Sequence, residues 1–268
     1  MKKILVIMLA LVLCFSCVFA VGCDDNKPTL QIYTNAGFAP YEYVNTNGEV
    51  VGVDMDIVKQ IGEILGYKVV INDIEFDLIL DEVQKNELAI GAAGMTKTDE
   101  RDDIALASIS YATSVQYVIV AKNTFSASDL VGGKLPLAKL ADLTNKAIGV
   151  QEGTTGNFLV DDAINVETDV LYGKGNSLVT YTNAIVASGD IGSTLGAVVI
   201  DKLPAESIVA SNSNLECFEL DAEPESYVLY LNKNATALKT KIDAILGAMI
   251  EGGVIDFFTL KHSGGIID

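Results

Sequence analysis

The chain has 268 residues, half of them hydrophobic, so it can bury a sizeable core in one or two domains. Its formal net charge is −18, and this acidity argues against nucleic-acid binding, which needs basic patches. The composition favours a protein of an aqueous compartment and leaves the fold open.

The N-terminus has the layout of a secretory signal. Two lysines follow the initiating methionine, residues 4–21 are apolar apart from one serine and two cysteines, and a polar stretch begins after Cys23. The small residues before Cys23 resemble the lipobox of bacterial lipoproteins, in which the cysteine is acylated. We therefore predict a lipoprotein signal peptide at 1–22, a lipid anchor on Cys23 and a linker at 23–29. A membrane span is the alternative, because the apolar run is almost long enough.

Cleavage at this point changes the cysteine inventory. It removes Cys14 and Cys17, and acylation uses Cys23, so Cys217 alone remains and no disulfide can form within one chain. It also removes two lysines, which takes the formal charge from −18 to −20. The fold must then rest on its hydrophobic core. Cys217 lies in a predicted strand and is expected to be a buried apolar side chain.

The first half of the mature chain alternates strands with helices. Apolar spacing and capping residues predict strands at 29–34, 68–72 and 88–93, and helices that start at Asp54, Asp77 and Thr98. Gly66 ends the first of these helices. An aromatic loop at 38–43, which contains a proline, and a turn at 45–48 separate the first strand from the first helix.

The second half repeats this scheme without repeating the sequence. Strands are predicted at 114–121, 146–151, 169–172, 196–200, 215–220 and 227–231. Helices are predicted at 154–162, 177–187, 201–210 and 236–250, with a further short helix that runs through Phe258.

Alternating strands and helices in two sets predict two α/β lobes, each built on a doubly wound, mostly parallel sheet. Two strand crossings between the sets are the expected hinge. We place lobe 1 at 30–117 together with 229–268, and lobe 2 at 118–228. A cleft between two such lobes is the expected ligand site.

The segment 94–101, Gly-Met-Thr-Lys-Thr-Asp-Glu-Arg, carries the strongest site signal. It follows an apolar strand and opens a helix, with Thr98 as N-cap and two acidic residues in the first turn. Arg101 in that turn gains nothing from the positive helix end, and its planar fork of donors suits a carboxylate. Thr96 and the backbone N–H groups around it could bond the same anion. The alternative is a surface ion pair with the aspartates that follow Arg101, which would stabilise little.

Four stretches of the chain together resemble the bacterial extracellular solute-binding proteins of family 3, the polar amino-acid-binding proteins of ABC importers. They are residues 34–56 (TNAGFAPYEY and then GVDMD), 94–111, 142–155 (ending IGVQEGTT) and 197–201 (AVVID). Their order and spacing span nearly the whole mature chain. The resemblance implies the type II periplasmic-binding-protein fold, two lobes joined by two hinge strands, with an amino acid bound between them.

The resemblance also implies which residues meet the polar end of the ligand. Arg101, with the backbone and hydroxyl of Thr96, would bind the α-carboxylate, and Thr155 would add a donor from a helix N-terminus in the second lobe. Asp201 would bind the α-ammonium, with a share for the carbonyl of Gly94. From the sequence alone, Asp201 could simply cap the helix that follows it, and Thr155 could simply begin one.

Aromatic residues wall the side-chain pocket in this family. The resemblance places Phe38 and Phe76 in these walls and Tyr41 at the mouth, although such residues in an α/β domain are more often core. Asn35 stands where relatives that bind a cationic or amide side chain often have an aspartate. Because this difference removes an anion, we predict a neutral ligand. If Asn35 is only a turn residue, it carries no such information.

No motif of the sequence points to catalysis, a metal or a cofactor. The single histidine, His262, lies near the C-terminus, far from the other motifs, and is expected to be a solvated tail residue. Clusters of Cys and His and glycine-rich phosphate loops do not occur.

We therefore predict a non-enzymatic, monomeric lipoprotein on the outer face of the bacterial cell membrane. It would deliver an amino acid to the transmembrane subunits of an ABC permease, without a cofactor and without binding nucleic acid. Two alternatives stay open. One is an enzyme of the cyclohexadienyl or arogenate dehydratase type, which shares this fold, and the other is an adhesin or sensor module with no transport role.

Overall fold

The computed structural model describes residues 27–264. The signal peptide predicted at 1–22, the predicted lipidation site Cys23 and most of the predicted linker at 23–29 lie outside the described residues. The strands are Thr29–Thr34 (β1), Tyr43–Val44 (β2), Val50–Val51 (β3), Lys68–Asp73 (β4), Ala89–Gly91 (β5), Leu106–Ala107 (β6), Ala112–Ser114 (β7), Gln116–Ala121 (β8), Ala147–Gln151 (β9), Ser177–Tyr181 (β10), Ala197–Asp201 (β11), Leu215–Glu219 (β12), Glu225–Tyr227 (β13) and Tyr230–Leu231 (β14). The α-helices are Val53–Leu65, Ile79–Val83, Asp99–Ile104, Thr155–Asn165, Ala184–Gly189, Lys202–Ser211, Thr236–Glu251 and Val254–His262, with short 3₁₀ turns at Phe76–Leu78, Ala127–Asp129 and Leu137–Asp142.

The first sheet has the strand order β4-β1-β5-β14-β6. β1 pairs in parallel with β4 and with β5, in a register that sets Ile32 opposite Ile71 and Ile90. β14 is antiparallel to β5 and β6. Because β1 and β5 are parallel, the segments that follow them, with Asn35 and Gly94, emerge at the same edge of the sheet.

The second sheet has the order β10-β9-β11-β8-β12. β9 pairs in parallel with β10 and β11, whereas β8 is antiparallel to β11 and β12. The last residues of the parallel neighbours β9 and β11 are Gln151 and Asp201. This sheet therefore also presents polar side chains at the carboxyl ends of its parallel strands.

Two short strands lie where the chain passes between the sheets. β7 and β13 pair antiparallel, with Ser114 opposite Glu225 and Ala112 opposite Tyr227. β7 leads into β8 of the second sheet, and β13 leads back to β14 of the first. Two α/β sheets joined by two strand crossings confirm the predicted fold class. The lobe bounds given above remain a prediction.

Helix Val53–Leu65 illustrates how the sequence covers the first sheet. Gly66 ends it in the left-handed conformation, at φ 73°. Asp54 in its first turn is fully buried and accepts hydrogen bonds from the Gly94 amide at 2.9 Å and the Tyr111 hydroxyl at 2.7 Å, so it ties the loop after β5 to the helix. The buried apolar residues, apart from Met55, follow helical spacing: Val53, Ile57, Val58 and Ile61.

Two of the predicted elements are wrong. Residues 169–172 form turns rather than a strand, because Leu171 alone packs into the core while its neighbours are exposed. The predicted helix at 177–187 is instead β10 followed by helix Ala184–Gly189. Its first half pairs with β9, and Asn183 then caps the helix by accepting a hydrogen bond from the Ile185 amide at 2.8 Å.

His262 is not a solvated tail residue, because helix Val254–His262 packs against helix Val53–Leu65. Its side chain is only 6% exposed. Nε2 lies 2.9 Å from Oδ2 of Asp56, and Nδ1 lies 3.1 Å from the hydroxyl of Tyr43. The histidine therefore fastens the C-terminal helix to the first lobe.

Cys217 in β12 is half-buried rather than fully buried, and it is a free cysteine. Burial raises the pKa of its thiol to about 11. Within residues 27–264, none of the helices has the length and apolarity needed to cross a membrane.

Candidate functional site

Residues at the carboxyl ends of both sheets line one small cavity of about 20 Å³, which is room for about one water molecule. All of the predicted ligand residues except Tyr41 line it: Asn35, Phe38, Phe76, Gly94, Thr96, Arg101, Thr155 and Asp201. The lining is completed by Glu42, Ala93, Gln151 and Thr154.

Arg101 is the only arginine in the sequence, and it is buried, at 7% exposure. The helix N-cap positions it, since its amide donates to Oγ1 of Thr98 at 3.2 Å. Its Nη1 donates to the carbonyl of Thr96 at 2.7 Å, and its Nη2 donates across the cleft to the carbonyl of Gly153 at 3.0 Å. The guanidinium also lies over the ring of Phe76, 5.4 Å from its centroid.

The environment of Arg101 does not match the alternative of a surface ion pair. Within the described residues, no carboxylate lies within 4.0 Å of its guanidinium. The neighbouring Asp102 pairs instead with Lys97 at 2.6 Å. Burial lowers the pKa of Arg101 from its ordinary value. Two carbonyl dipoles thus orient a buried cation whose charge has no anionic partner, which is a strong demand for an anion.

Helix Thr155–Asn165 begins at the same cavity. Thr154 caps it by accepting a hydrogen bond from the amide of Asn157 at 3.1 Å. Thr154 and Thr155 both line the cavity, so the positive end of the helix and its free amides lie close to Arg101. This end of the cavity therefore favours negative charge from both lobes.

Asp201, the last residue of β11, supplies negative charge. It is 7% exposed and accepts a hydrogen bond from the hydroxyl of Tyr227 at 2.6 Å. It occupies the N-cap position of the next helix but makes no capping hydrogen bond with its side chain. Burial, reinforced by the charge of Glu225, raises the pKa of Asp201 to about 7. An added cation would stabilise its ionised form.

Glu42 is a second buried carboxyl of the cavity, and the sequence did not single it out. It is 1% exposed, and its Oε2 has no hydrogen-bond partner. Burial, together with the nearby charges of Asp54 and Asp201, raises the pKa of Glu42 well above its usual range. The sequence did contain one hint of this role. Glu42 lies in the aromatic loop, after the predicted pocket residues Phe38 and Tyr41 and before the turn at 45–48.

Asn35 links the two lobes. Its Nδ2 donates to the carbonyl of Ile74 at 2.6 Å, and its Oδ1 accepts a hydrogen bond from Nε2 of Gln151 at 2.9 Å. Both ends of the amide are therefore engaged by protein groups. With the bond between Arg101 and Gly153, this is a second polar contact across the cleft.

The aromatic residues form a stack rather than a simple ring around the cavity. Phe38 and Phe76 line the cavity, but Tyr41 does not: it is 3% exposed and lies behind Phe38, with ring centroids 6.0 Å apart. Tyr41 also meets Tyr227 edge to face at 5.0 Å. Gly94 packs under Phe38 at φ 53°, and a Cβ there would lie 2.8 Å from the Phe38 ring.

Glu225 lies beside this cavity and bonds two of its lining residues, and the sequence did not reveal it. Its Oε2 accepts hydrogen bonds from Oγ1 of Thr96 at 2.5 Å and from Oγ1 of Thr155 at 2.8 Å. Its Oε1 accepts one from Nε2 of Gln116 at 2.9 Å. No local pattern could have found it, because its partners lie 109, 129 and 70 residues away along the chain.

The chain is similar in sequence to known proteins. The family model for bacterial extracellular solute-binding proteins, family 3, matches residues 30–264. The arginine-binding extracellular protein ArtP of Bacillus subtilis is 24% identical over 276 residues, which cover 99% of each chain.

Solved structures agree with this match. AbpA of Streptococcus pneumoniae, an amino acid ABC transporter substrate-binding protein bound to L-arginine, has a TM-score of 0.75 at 26% identity, covering 88% of this chain and 94% of that one. An ancestral arginine-binding protein, bound to arginine or to glutamine, has TM-scores of 0.75 and 0.74 at 28% identity, covering 88% of this chain and 98% of that one.

Proposed function

Because the chain belongs to the bacterial extracellular solute-binding proteins of family 3, we propose that it captures a cationic L-amino acid, with L-arginine as the first candidate. The observation that carries this proposal is a charge pattern. One buried guanidinium, that of Arg101, and two buried carboxyls, those of Asp201 and Glu42, line the same cavity. L-Arginine has the complementary set of one carboxylate and two cations, so each buried charge would gain a partner.

The polar end of the amino acid would bind between Arg101 and Asp201. Arg101 has two N–H groups fixed by carbonyls, which hold the plane of its guanidinium while its charge is left for the α-carboxylate. The start of helix Thr155–Asn165 adds a favourable dipole at this point. Asp201, which accepts a hydrogen bond from the hydroxyl of Tyr227, would bind the α-ammonium. A zwitterion loses its water in such a cavity, and these groups replace it.

The side chain of the ligand would reach Glu42. A buried acceptor without a partner costs about 1–3 kcal/mol, and more when it is charged. A guanidinium would restore two charge-assisted hydrogen bonds and would also favour the ionised form of Glu42. The rings of Phe38 and Phe76 can cover the aliphatic part of such a ligand.

A neutral side chain is the second candidate, and Asn35 favours it. This residue brings no negative charge to the pocket, and both ends of its amide are engaged by Ile74 and Gln151. A neutral ligand would leave Glu42 protonated and hydrogen-bonded as a neutral acid. The two candidates therefore differ in whether Glu42 binds the ligand as an anion.

Binding would work by closure of the two lobes. Arg101 belongs to the first sheet's side of the cleft and Asp201 to the second, so a ligand adds stability to the closed form only if it meets both. The contacts of Arg101 with Gly153 and of Asn35 with Gln151 would form in the same movement.

The cellular setting is part of the proposal. We propose that acylation of Cys23 anchors the protein to the outer face of the cell membrane, where it hands its ligand as a monomer to the permease subunits of an ABC importer. A dehydratase would instead use a buried carboxyl such as Glu42 as general acid. Release of a phenyl product from prephenate or arogenate would establish that alternative.

The test is a calorimetric panel of the L-amino acids on protein that has been unfolded and refolded to remove bound ligand. Arginine and lysine are expected to bind most tightly. Tightest binding of an uncharged amino acid would replace the first candidate with the second. Absence of binding to every member of the panel would overturn both.

A further inference from the structure

Glu225 already occupies the two hydroxyl groups that the resemblance assigned to the ligand's α-carboxylate. A threonine hydroxyl has a single proton to donate. While Thr96 and Thr155 both donate to Oε2 of Glu225, neither can donate to a second carboxylate. An incoming α-carboxylate must therefore displace the Glu225 carboxylate, or bind at Arg101 without these two hydrogen bonds and beside a like charge.

The position of Glu225 also matters for the lobes. Thr96 lies next to the first sheet, whereas Gln116 and Thr155 belong to the second, and all three donate to the one carboxylate. Hydrogen bonds to a charged acceptor are about twice as strong as neutral ones. Glu225, which lies on the hinge strand β13, therefore bridges the two lobes in the way proposed for a bound ligand.

From these contacts we propose that Glu225 is an internal competitor for the α-carboxylate. It holds the ligand-free lobes together and lowers the affinity for the amino acid, because the ligand must replace its hydrogen bonds. This inference rests on the proposed function for the identity of the competing group. Its structural half, the bridge between ligand-free lobes, does not depend on any ligand.

The displaced carboxylate has a place to go. Glu225 does not line the ligand cavity but lines a second, open groove, of which Thr96 also forms part. Lys97 and Lys134 line the same groove. Asp99, Asp221 and Glu223 line it as well, and the two lysines are paired with Asp102 and Glu219. A side chain that turns away from Thr155 therefore gains no free cation, but it reaches open solvent, where water solvates its charge when the ligand takes its place.

The first experiment compares Glu225→Ala with Glu223→Ala, an exposed charge removed two residues away. Both are titrated calorimetrically with L-arginine and with agmatine, which lacks the α-carboxylate. We expect Glu225→Ala to bind L-arginine about tenfold more tightly than the parent, with little change for agmatine. An affinity for L-arginine that falls, or that changes no more than in Glu223→Ala, would overturn the proposal. So would an equal gain of affinity for agmatine, because Glu225 would then not compete with the α-carboxylate in particular.

The second experiment needs no ligand. Small-angle scattering of refolded parent and Glu225→Ala is expected to give a larger radius of gyration for the variant, and Glu225→Gln, which keeps an acceptor, should lie between them. Equal radii would overturn the bridge between lobes. Thermal melting by circular dichroism verifies that each variant is folded. If the parent binds no amino acid, the proposed function fails, while the scattering result still decides the role of Glu225.

Discussion

Arg101 and Gly153 are joined across the cleft, because Nη2 of the guanidinium donates to the Gly153 carbonyl at 3.0 Å. Gly153 has a φ of 73° and immediately precedes the cap of helix Thr155–Asn165. The cation of one lobe is thus oriented by the loop that presents the helix N-terminus of the other. Two features that favour an anion are brought to one point by a single contact.

Replacing Arg101 with Ala should abolish binding of L-arginine, with a loss of about a hundredfold or more, because truncating one partner of a buried ion pair costs about 2–5 kcal/mol. Calorimetry measures the loss. Lys97→Ala is the matched control: it removes an exposed cation four residues away whose partner is Asp102. If the two variants bind alike, Arg101 is not the carboxylate anchor.

Replacing Glu42 with Gln should change selectivity rather than remove binding. The variant keeps the shape of the side chain but loses the anion, so L-arginine should weaken about tenfold or more while L-glutamine holds or improves. Glu63→Gln, in an exposed position of helix Val53–Leu65, controls for overall charge. Parallel titrations with the two ligands give the ratio. An unchanged ratio would remove Glu42 from the side-chain subsite and favour the neutral ligand.

Stability of the ligand-free protein should depend on pH through its buried carboxyls. The pKa of Asp201 is raised to about 7 and that of Asp54 to about 6, mainly by burial, whereas unfolded aspartates titrate near 3.9. These two carboxyls therefore bind protons more readily in the folded state than in the unfolded state. The stability that this protonation contributes is fully present below about pH 4 and is lost as the pH rises through 6 and 7.

Thermal melts should accordingly show a more stable protein at pH 5 than at pH 8, by about 1–3 kcal/mol. Burial acts to raise the pKa of Asp56, but its hydrogen bonds to Lys261 and His262 outweigh burial and lower it. The stability that ionised Asp56 contributes is therefore lost only below this pH window. Asp201→Asn should flatten the slope. Ligand affinity should move the other way and tighten as the pH rises through 7, since the α-ammonium needs an ionised Asp201. A slope that is the same in Asp201→Asn and the parent would contradict the role of this carboxyl.

Replacing Gly94 with Ala should destabilise the protein more than the same change at Gly48. Both glycines have positive φ, 53° and 80°, so the backbone strain is shared, at about 1 kcal/mol. Only at Gly94 would the new Cβ meet a neighbour, the ring of Phe38 at 2.8 Å, which adds about 1–3 kcal/mol. Urea unfolding measures both. Equal losses of stability would mean that the Phe38 ring moves aside easily and is not a rigid wall of the cavity.

Local chemistry in the sequence explains why the positive half of the site could be predicted. Arg101 was detectable because a cation in the first turn of a capped helix has no local reason to be there. The pairing of β1 with β5 and of β9 with β11 then brings Gly94 and Asp201 to facing edges, as alternating strands and helices imply.

Asp201 was predicted through the family resemblance, but the other two carboxylates, Glu42 and Glu225, depended on tertiary structure. Glu42 resembles any loop glutamate until burial leaves its Oε2 without a partner. Glu225 becomes part of the site only because two hinge strands pair and bring it to hydroxyls of both lobes. Tyr41 does not line the cavity for a similar reason, because its ring packs against that of Tyr227.

A crystal structure of the protein grown with L-arginine tests the central claim most directly. The account predicts the ligand's α-carboxylate on the guanidinium of Arg101, its α-ammonium on Asp201 and its side-chain guanidinium on Glu42. A cavity that stays empty at saturating L-arginine, or a ligand whose carboxylate lies away from Arg101, would contradict it.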